Sequence, residues 1–220
     1  KGTGITGGDG ITSSGTIGGN NLSIAADVDN TSIEIDGSAK ISLKSTSVSA
    51  GSYGSATAIP TFTVDAAKSK VDWTGSKKSD FHTGFFPLKS GALQVDAGKL
   101  VGGSFVINLA GIKVTDGAGE RLQGHLSSAE FFDIAKFGEA TFTISNVVYT
   151  KADKATITGD LSLHGISAPV TFNASIRSAD DKGFFAEAFF PFDRTLFGIS
   201  YGVGNIDSDV QLAVHIYGNK

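Results

Sequence analysis

From residue 61 onward, apolar and polar positions alternate in short runs separated by turn residues. Val71 alternates with Trp73, and Leu93 with Val95; then Val101, Gly103, Phe105, Ile107 and Leu109 share one face, with Gly102, Ser104 and Asn108 opposite. Phe142 pairs with Ile144 in the same way, and Ile157 with Leu161 and Leu163. Val170, Phe172, Ala174 and Ile176 follow, and the last run is Val210, Leu212, Val214 and Ile216. A period of two predicts strands with one dry face and one wet face, the pattern of an antiparallel sheet. Closing that sheet removes its exposed edges, and at about eight strands the interior can hold one small ligand. The expected class is therefore all-β, an antiparallel β-barrel of about eight strands. One run breaks the rule: Phe184, Phe185, Phe189, Phe190 and Phe192 place aromatics on both faces. One side is expected to line the lumen and the other to pack under a helix or against a neighbour.

A single short helical insertion is expected between strands. Ser127-Ser128-Ala129-Glu130 fits a capping box, which would start a helix with Phe131, Ile134 and Phe137 on one face. Leu122 and Leu126 indicate an earlier turn ending near Gly124. The insertion is placed to cover one mouth of the barrel.

The first quarter of the chain has a different texture. All 16 Phe and the single Trp73 lie after residue 61, and before Phe62 the only aromatic is Tyr53. Residues 1–58 are rich in Gly, Ser, Thr, Asn and Ile, which places a domain boundary near Ile59-Pro60. This divides the chain into a β-rich stalk, 1–60, and a barrel domain, 61–220. Within the stalk, Leu22, Ile24, Ala26 and Val28 alternate, as do Ile33 with Ile35 and Ile41 with Leu43. Asp29-Asn30 and Asp36-Gly37 between them are good hairpin turns. A segment so short of large side chains is not expected to form a monomeric core. It is either a linker or an extended β-structure that buries its stripes against copies of itself.

Composition narrows the function. A net charge of −4 gives no footprint for nucleic acid or for an anionic membrane. No run of 18 apolar residues is present, so no transmembrane helix is expected. The sequence starts without Met and without a basic-then-apolar leader; any signal peptide or upstream domain is expected to be removed or to lie outside it. With no Cys, disulfides, thiolate chemistry and Cys-ligated zinc are excluded. His82, His125, His164 and His215 show no metal-ligand spacing, and no nucleophile-elbow signature supports a hydrolase. Gly2-x-Gly4-x-x-Gly7 matches a dinucleotide fingerprint formally, but it lacks the strand–helix context that gives the motif meaning.

An ordered series of motifs resembles the YceI-like family. It comprises Thr63-Val64-Asp65 leading to Lys70-Val71-Asp72-Trp73-Thr74-Gly75, and Gly124-His125-Leu126 with Phe131-Phe132-Asp133 and Ala140-Thr141-Phe142. It continues through Gly159-Asp160-Leu161-Ser162-Leu163-His164-Gly165-Ile166 and Pro169-Val170-Thr171-Phe172, and ends with Phe192-Asp193-Arg194 and Phe197-Gly198-Ile199. Gly138 departs from the pattern, where family members usually carry Pro. The resemblance implies a lipocalin-like barrel that binds a polyisoprenoid, quinone or similar lipid without catalysis, in a periplasmic or extracellular setting. No cofactor other than such a bound isoprenoid lipid or quinone is implied. The candidate ligand-binding residues are Trp73, Phe105, Phe142, Leu163, Phe172, Phe190 and Phe192, with His125, His164 and Arg194 as polar contacts. Each polar candidate has a second reading: a backbone hydrogen bond at a turn or helix end for the histidines, and a tie to a carboxylate such as Asp133 or Asp193 for Arg194.

The segment from Gly51 to Ala66, with the Gly-Ile-Thr-Gly-Gly-Asp-Gly-Ile-Thr opening, resembles phage tail-fibre material. That resemblance implies a trimer formed through residues 1–60. It keeps open a rival in which the barrel is a filled structural or receptor-binding head on a virion surface.

Overall fold

The computed structural model describes residues 59–220 throughout and, in residues 1–58, only the backbone of five strands. The chain divides into two compact units, Lys1–Ala58 and Ile59–Lys220. In the first, β1 (Thr6–Gly7), β2 (Ile11–Gly15), β3 (Leu22–Ala26), β4 (Thr31–Ile35) and β5 (Ile41–Leu43) pair in chain order as one antiparallel sheet. The predicted turns at 29–30 and 36–37, the burial of the Ile and Leu stripes, the part of the fibre-like segment before residue 59 and the trimer all lie outside the described residues.

The second unit contains β6 (Thr61–Val64), β7 (Lys70–Lys77), β8 (Asp80–Asp96), β9 (Lys99–Asn108), β10 (Lys113–Val114), helix α1 (Gly119–Ser127), β11 (Glu139–Lys151), β12 (Lys154–Leu163), β13 (Ile166–Asp180), β14 (Gly183–Asp193) and β15 (Asp209–Asn219). β8, β9, β11, β12, β13, β14 and β15 pair antiparallel in that order, and β6 and β7 together fill the place between β15 and β8. The result is a closed barrel of eight staves, one of them split.

The split is built by polar side chains. After β6, Asp65 Oδ1 accepts from Ala67 and Lys68 N–H, turning the chain out of the ladder. Buried Ser69 then replaces a ladder bond with its hydroxyl, accepting from Tyr217 N–H at 2.9 Å and donating to Tyr217 O at 3.3 Å. Two hairpins turn through pairs of left-handed residues, Ala97-Gly98 (φ 46° and 76°) and His164-Gly165 (φ 53° and 78°). Positive φ at both central positions is what a tight two-residue hairpin needs to match strand twist.

Most of the alternation appears as read. Val71, Trp73, Leu93, Val95, Phe105, Phe142, Ile157, Leu161, Leu163, Ala174, Ile176, Val214 and Ile216 are buried. β9 needs a correction. Leu100 is buried and Val101 is 43% exposed, because the ladder with β8 slips between Gln94↔Gly102 and Val95↔Leu100. Val101 is the extra residue of a bulge, which reverses the inward parity below Gly102. The Phe-rich β14 divides between two faces, with Phe184 buried on the inner one, but among the described residues no helix covers the outer one, where the alternation suggests one: Phe185 stacks on Tyr217 of the adjacent strand and Phe189 is 64% exposed beside His215.

The helix also differs from the expectation. It runs through Gly124 and ends at Ser127, where the capping box was expected to begin one. Ser127 Oγ donates back to Gln123 O and Ser128 Oγ to His125 O, so these hydroxyls close a C-terminus. Phe131 to Phe137 then form turns rather than a helical face.

Candidate functional site

The inward-facing side chains do not meet at the open end of the barrel. They enclose a cavity of about 200 Å³ whose wall is almost wholly hydrocarbon. Trp73 on β7, Phe105 on β9, Phe142 on β11, Leu163 on β12, Phe172 on β13, and Phe190 and Phe192 on β14 all line it. Leu122 and Leu126 of α1 and Phe131 and Phe132 of the following turn close over it, with Phe132 edge-on to Phe86 at 5.2 Å. A space of this size is more than tenfold what one water needs, but its walls offer water almost no partner.

The aromatic lining is a connected series. Phe105 and Phe142 face each other across β9 and β11 with ring centroids 5.5 Å apart, and Phe142 meets Phe172 at 5.6 Å. Phe172 stacks on Phe190 at 4.5 Å, and Phe192 stacks on Phe197 at 5.3 Å. Trp73 Nε1 is buried without a hydrogen-bond partner, which leaves the indole to act through its apolar area.

Polar groups gather at the mouth. Ser76, Lys77, His82, Arg194 and Asp207 complete the lining there. Arg194 is buried and donates to three backbone carbonyls: Ile199 O at 2.6 Å, Asp207 O at 3.1 Å and Ile206 O at 3.4 Å. This corrects the expected carboxylate tie. Asp193 instead accepts from Thr195 N–H and Oγ1, and Asp133 pairs with Lys136. Burial pulls the Arg194 pKa down, and the Asp193 charge opposes that shift. The guanidinium thus pins the loop from Ile199 to Asp207 while one side borders the cavity.

The two candidate histidines occupy separate places, and neither lines the cavity. His125 lies edge-on to Phe131 and Tyr201, with Nε2 3.0 Å from Glu130 Oε2. His164 sits in its left-handed turn position with Nδ1 3.2 Å from Phe197 O, the backbone alternative. Sequence reasoning missed the latch in front of α1. Asp116 accepts from Ala118 N–H at 2.8 Å and Thr83 N–H at 2.7 Å, with His82 Nδ1 at 3.2 Å. The signal was present as an Asp two residues before the helix entry, the usual spacing of an Asx turn. Among the described residues no group of three or more His, Asp or Glu is placed to hold a metal ion. No described helix is long and apolar enough to cross a membrane.

A closed antiparallel barrel of eight staves around a hydrocarbon lumen defines the lipocalin-like class of barrels. Residues 62–217 match the model of the YceI-like domain. The chain belongs to the YceI-like family. The protein YceI of Salmonella arizonae is 37% identical over 101 residues, 43% of this chain, and the chain spans about half the length of the curated relatives it matches (51%). Among solved structures, Burkholderia cenocepacia BcnA superposes with a TM-score of 0.62 at 21% identity, covering 70% of this chain and 98% of that one. A structure described as a polyisoprenoid binding domain from Saccharophagus degradans, implicated in plant cell wall breakdown, gives 0.60 at 15% identity, covering 72% and 97%. At these identities the structural likeness establishes the fold.

Proposed function

We propose that the barrel is a non-catalytic carrier that holds a polyisoprenoid, quinone or similar lipid in its lumen. The observation that carries this reading is the cavity of about 200 Å³, lined by aromatic and aliphatic side chains from the staves and roofed by α1. Each methylene withdrawn from water into such a space contributes about 0.8 kcal/mol, and ordering the tail offsets part of that gain. Affinity needs no reacting group under these terms. Trp73, Phe105, Phe142, Leu163, Phe172, Phe190 and Phe192 supply the contact. Arg194 shapes the mouth, and the two histidines support its surroundings. The description of the Saccharophagus degradans domain as polyisoprenoid binding supports the same ligand class. A carrier of this kind suits a periplasmic or extracellular setting, where a lipid must cross water between membranes.

Native mass spectrometry of gently purified protein tests the reading. A bound mass of several hundred daltons (roughly what burial of a drug-sized or larger apolar ligand implies) that is released into organic solvent is the expected result. Protein that is empty on isolation and takes up no prenyl lipid on incubation would remove the carrier assignment.

A further inference from the structure

The lumen is not one continuous tube. Beyond the main cavity lies a second of about 40 Å³, towards the opposite end of the barrel. Both are lined by Phe105, Phe142, Phe172 and Val214, so these four side chains form the layer between them. We propose that this layer is a chain-length stop: it ends the space open to a lipid tail and so sets the longest tail the barrel takes in full. The inference rests on the carrier reading above.

Three features make the layer a wall. The rings of Phe105, Phe142 and Phe172 follow one another at 5.5 and 5.6 Å round one side of the lumen, an unbroken aromatic arc that faces Val214 of β15. Phe142 rests in a notch over Gly159, where a Cβ would lie 2.4 Å from its Cζ, and the rings on either side hem it in. Phe172 is braced from the mouth side by the parallel ring of Phe190 at 4.5 Å. Below the layer the wall includes Ala174, Ala186 and Ala188, small side chains that leave room the stop keeps out of use. Removing one ring joins this room to the main cavity.

The test uses the full chain and a series of prenyl alcohols, from geraniol through farnesol and geranylgeraniol to solanesol. Trp73, the only Trp, lines the cavity and reports binding by its fluorescence. The reading is the ratio of affinities between successive alcohols within each protein. In the unaltered chain the ratio falls to one once the tail reaches the layer. In Phe142→Leu, and independently in Phe172→Leu, the gain continues for at least one further isoprene unit, roughly tenfold for that step. An unaltered chain whose affinity climbs through the whole series overturns the stop and leaves the carrier standing. So does a ceiling that stays at the same alcohol in both variants. Binding of no alcohol at all overturns both.

Discussion

The Phe142 ring lies directly over the backbone of Gly159, so closely that a Cβ there would sit 2.4 Å from Cζ and 2.5 Å from Thr143 O. The glycine is the inward residue of its stave at this level, between buried Ile157 and Leu161. Its missing side chain is what admits the ring.

Gly159→Ala is therefore expected to destabilise the barrel by about 1–3 kcal/mol, the range for forcing a methyl into a packed interior. Combining it with Phe142→Leu should recover part of that loss, because the shorter side chain vacates the ring position. The clash with Thr143 O remains in both backgrounds. Urea unfolding of the two single variants and the double variant measures the coupling. Strict additivity would mean that ring and glycine do not interact.

Arg194 makes the second prediction. Its three acceptors are carbonyls pointing from Ile199, Ile206 and Asp207, spread along one loop. A planar guanidinium reaches all three; an ammonium is a point donor and cannot. Arg194→Lys should thus cost nearly as much stability as Arg194→Ala, about 2–4 kcal/mol from carbonyls left without donors. Thermal unfolding compares the two. A lysine variant as stable as the parent would show that charge, rather than the fork of donors, holds the loop.

How far the fold was legible in the sequence follows from the range of each signal. Alternation is local, and it located the inward faces of β11 to β15 through residues such as Leu161, Phe172 and Val214. It failed at Val101, because the bulge is a property of the pairing with Gln94 and Val95 rather than of β9 alone. Ser127-x-x-Glu130 misled for a related reason. The same residue types can cap a helix start or bond back to i−3 and i−4 carbonyls at its end, and only the packing of Leu122 and Leu126 over the lumen decides. The individual lining residues were legible as inward apolar positions. Their division into two chambers was not, since it depends on which rings meet across staves far apart in sequence.

The last prediction concerns acid. Asp116 stands between β10 and α1, and its carboxylate is held below its ordinary value of 3.8, first by the Ala118 N–H, then by the Thr83 N–H, with His82 adding to both. These bonds tie the entry of α1 to β8, so they hold the roof of the cavity to its wall. A carboxylate depressed in the folded state contributes stability that is fully present above its unfolded pKa and is lost as pH falls through the folded one. The anchorage of α1 should therefore be intact at neutral pH and weaken only below about pH 3.8. Amide exchange across Gly119–Ser127 should accelerate relative to the staves as pH is lowered through that window, after correction for intrinsic exchange rates. Asp116→Asn keeps one acceptor but does not titrate. Its helix should exchange faster than the parent's at neutral pH, and the excess should shrink as the parent's own carboxylate becomes protonated. A helix whose protection is equally pH-dependent in the asparagine variant would place the acid sensitivity elsewhere in the barrel.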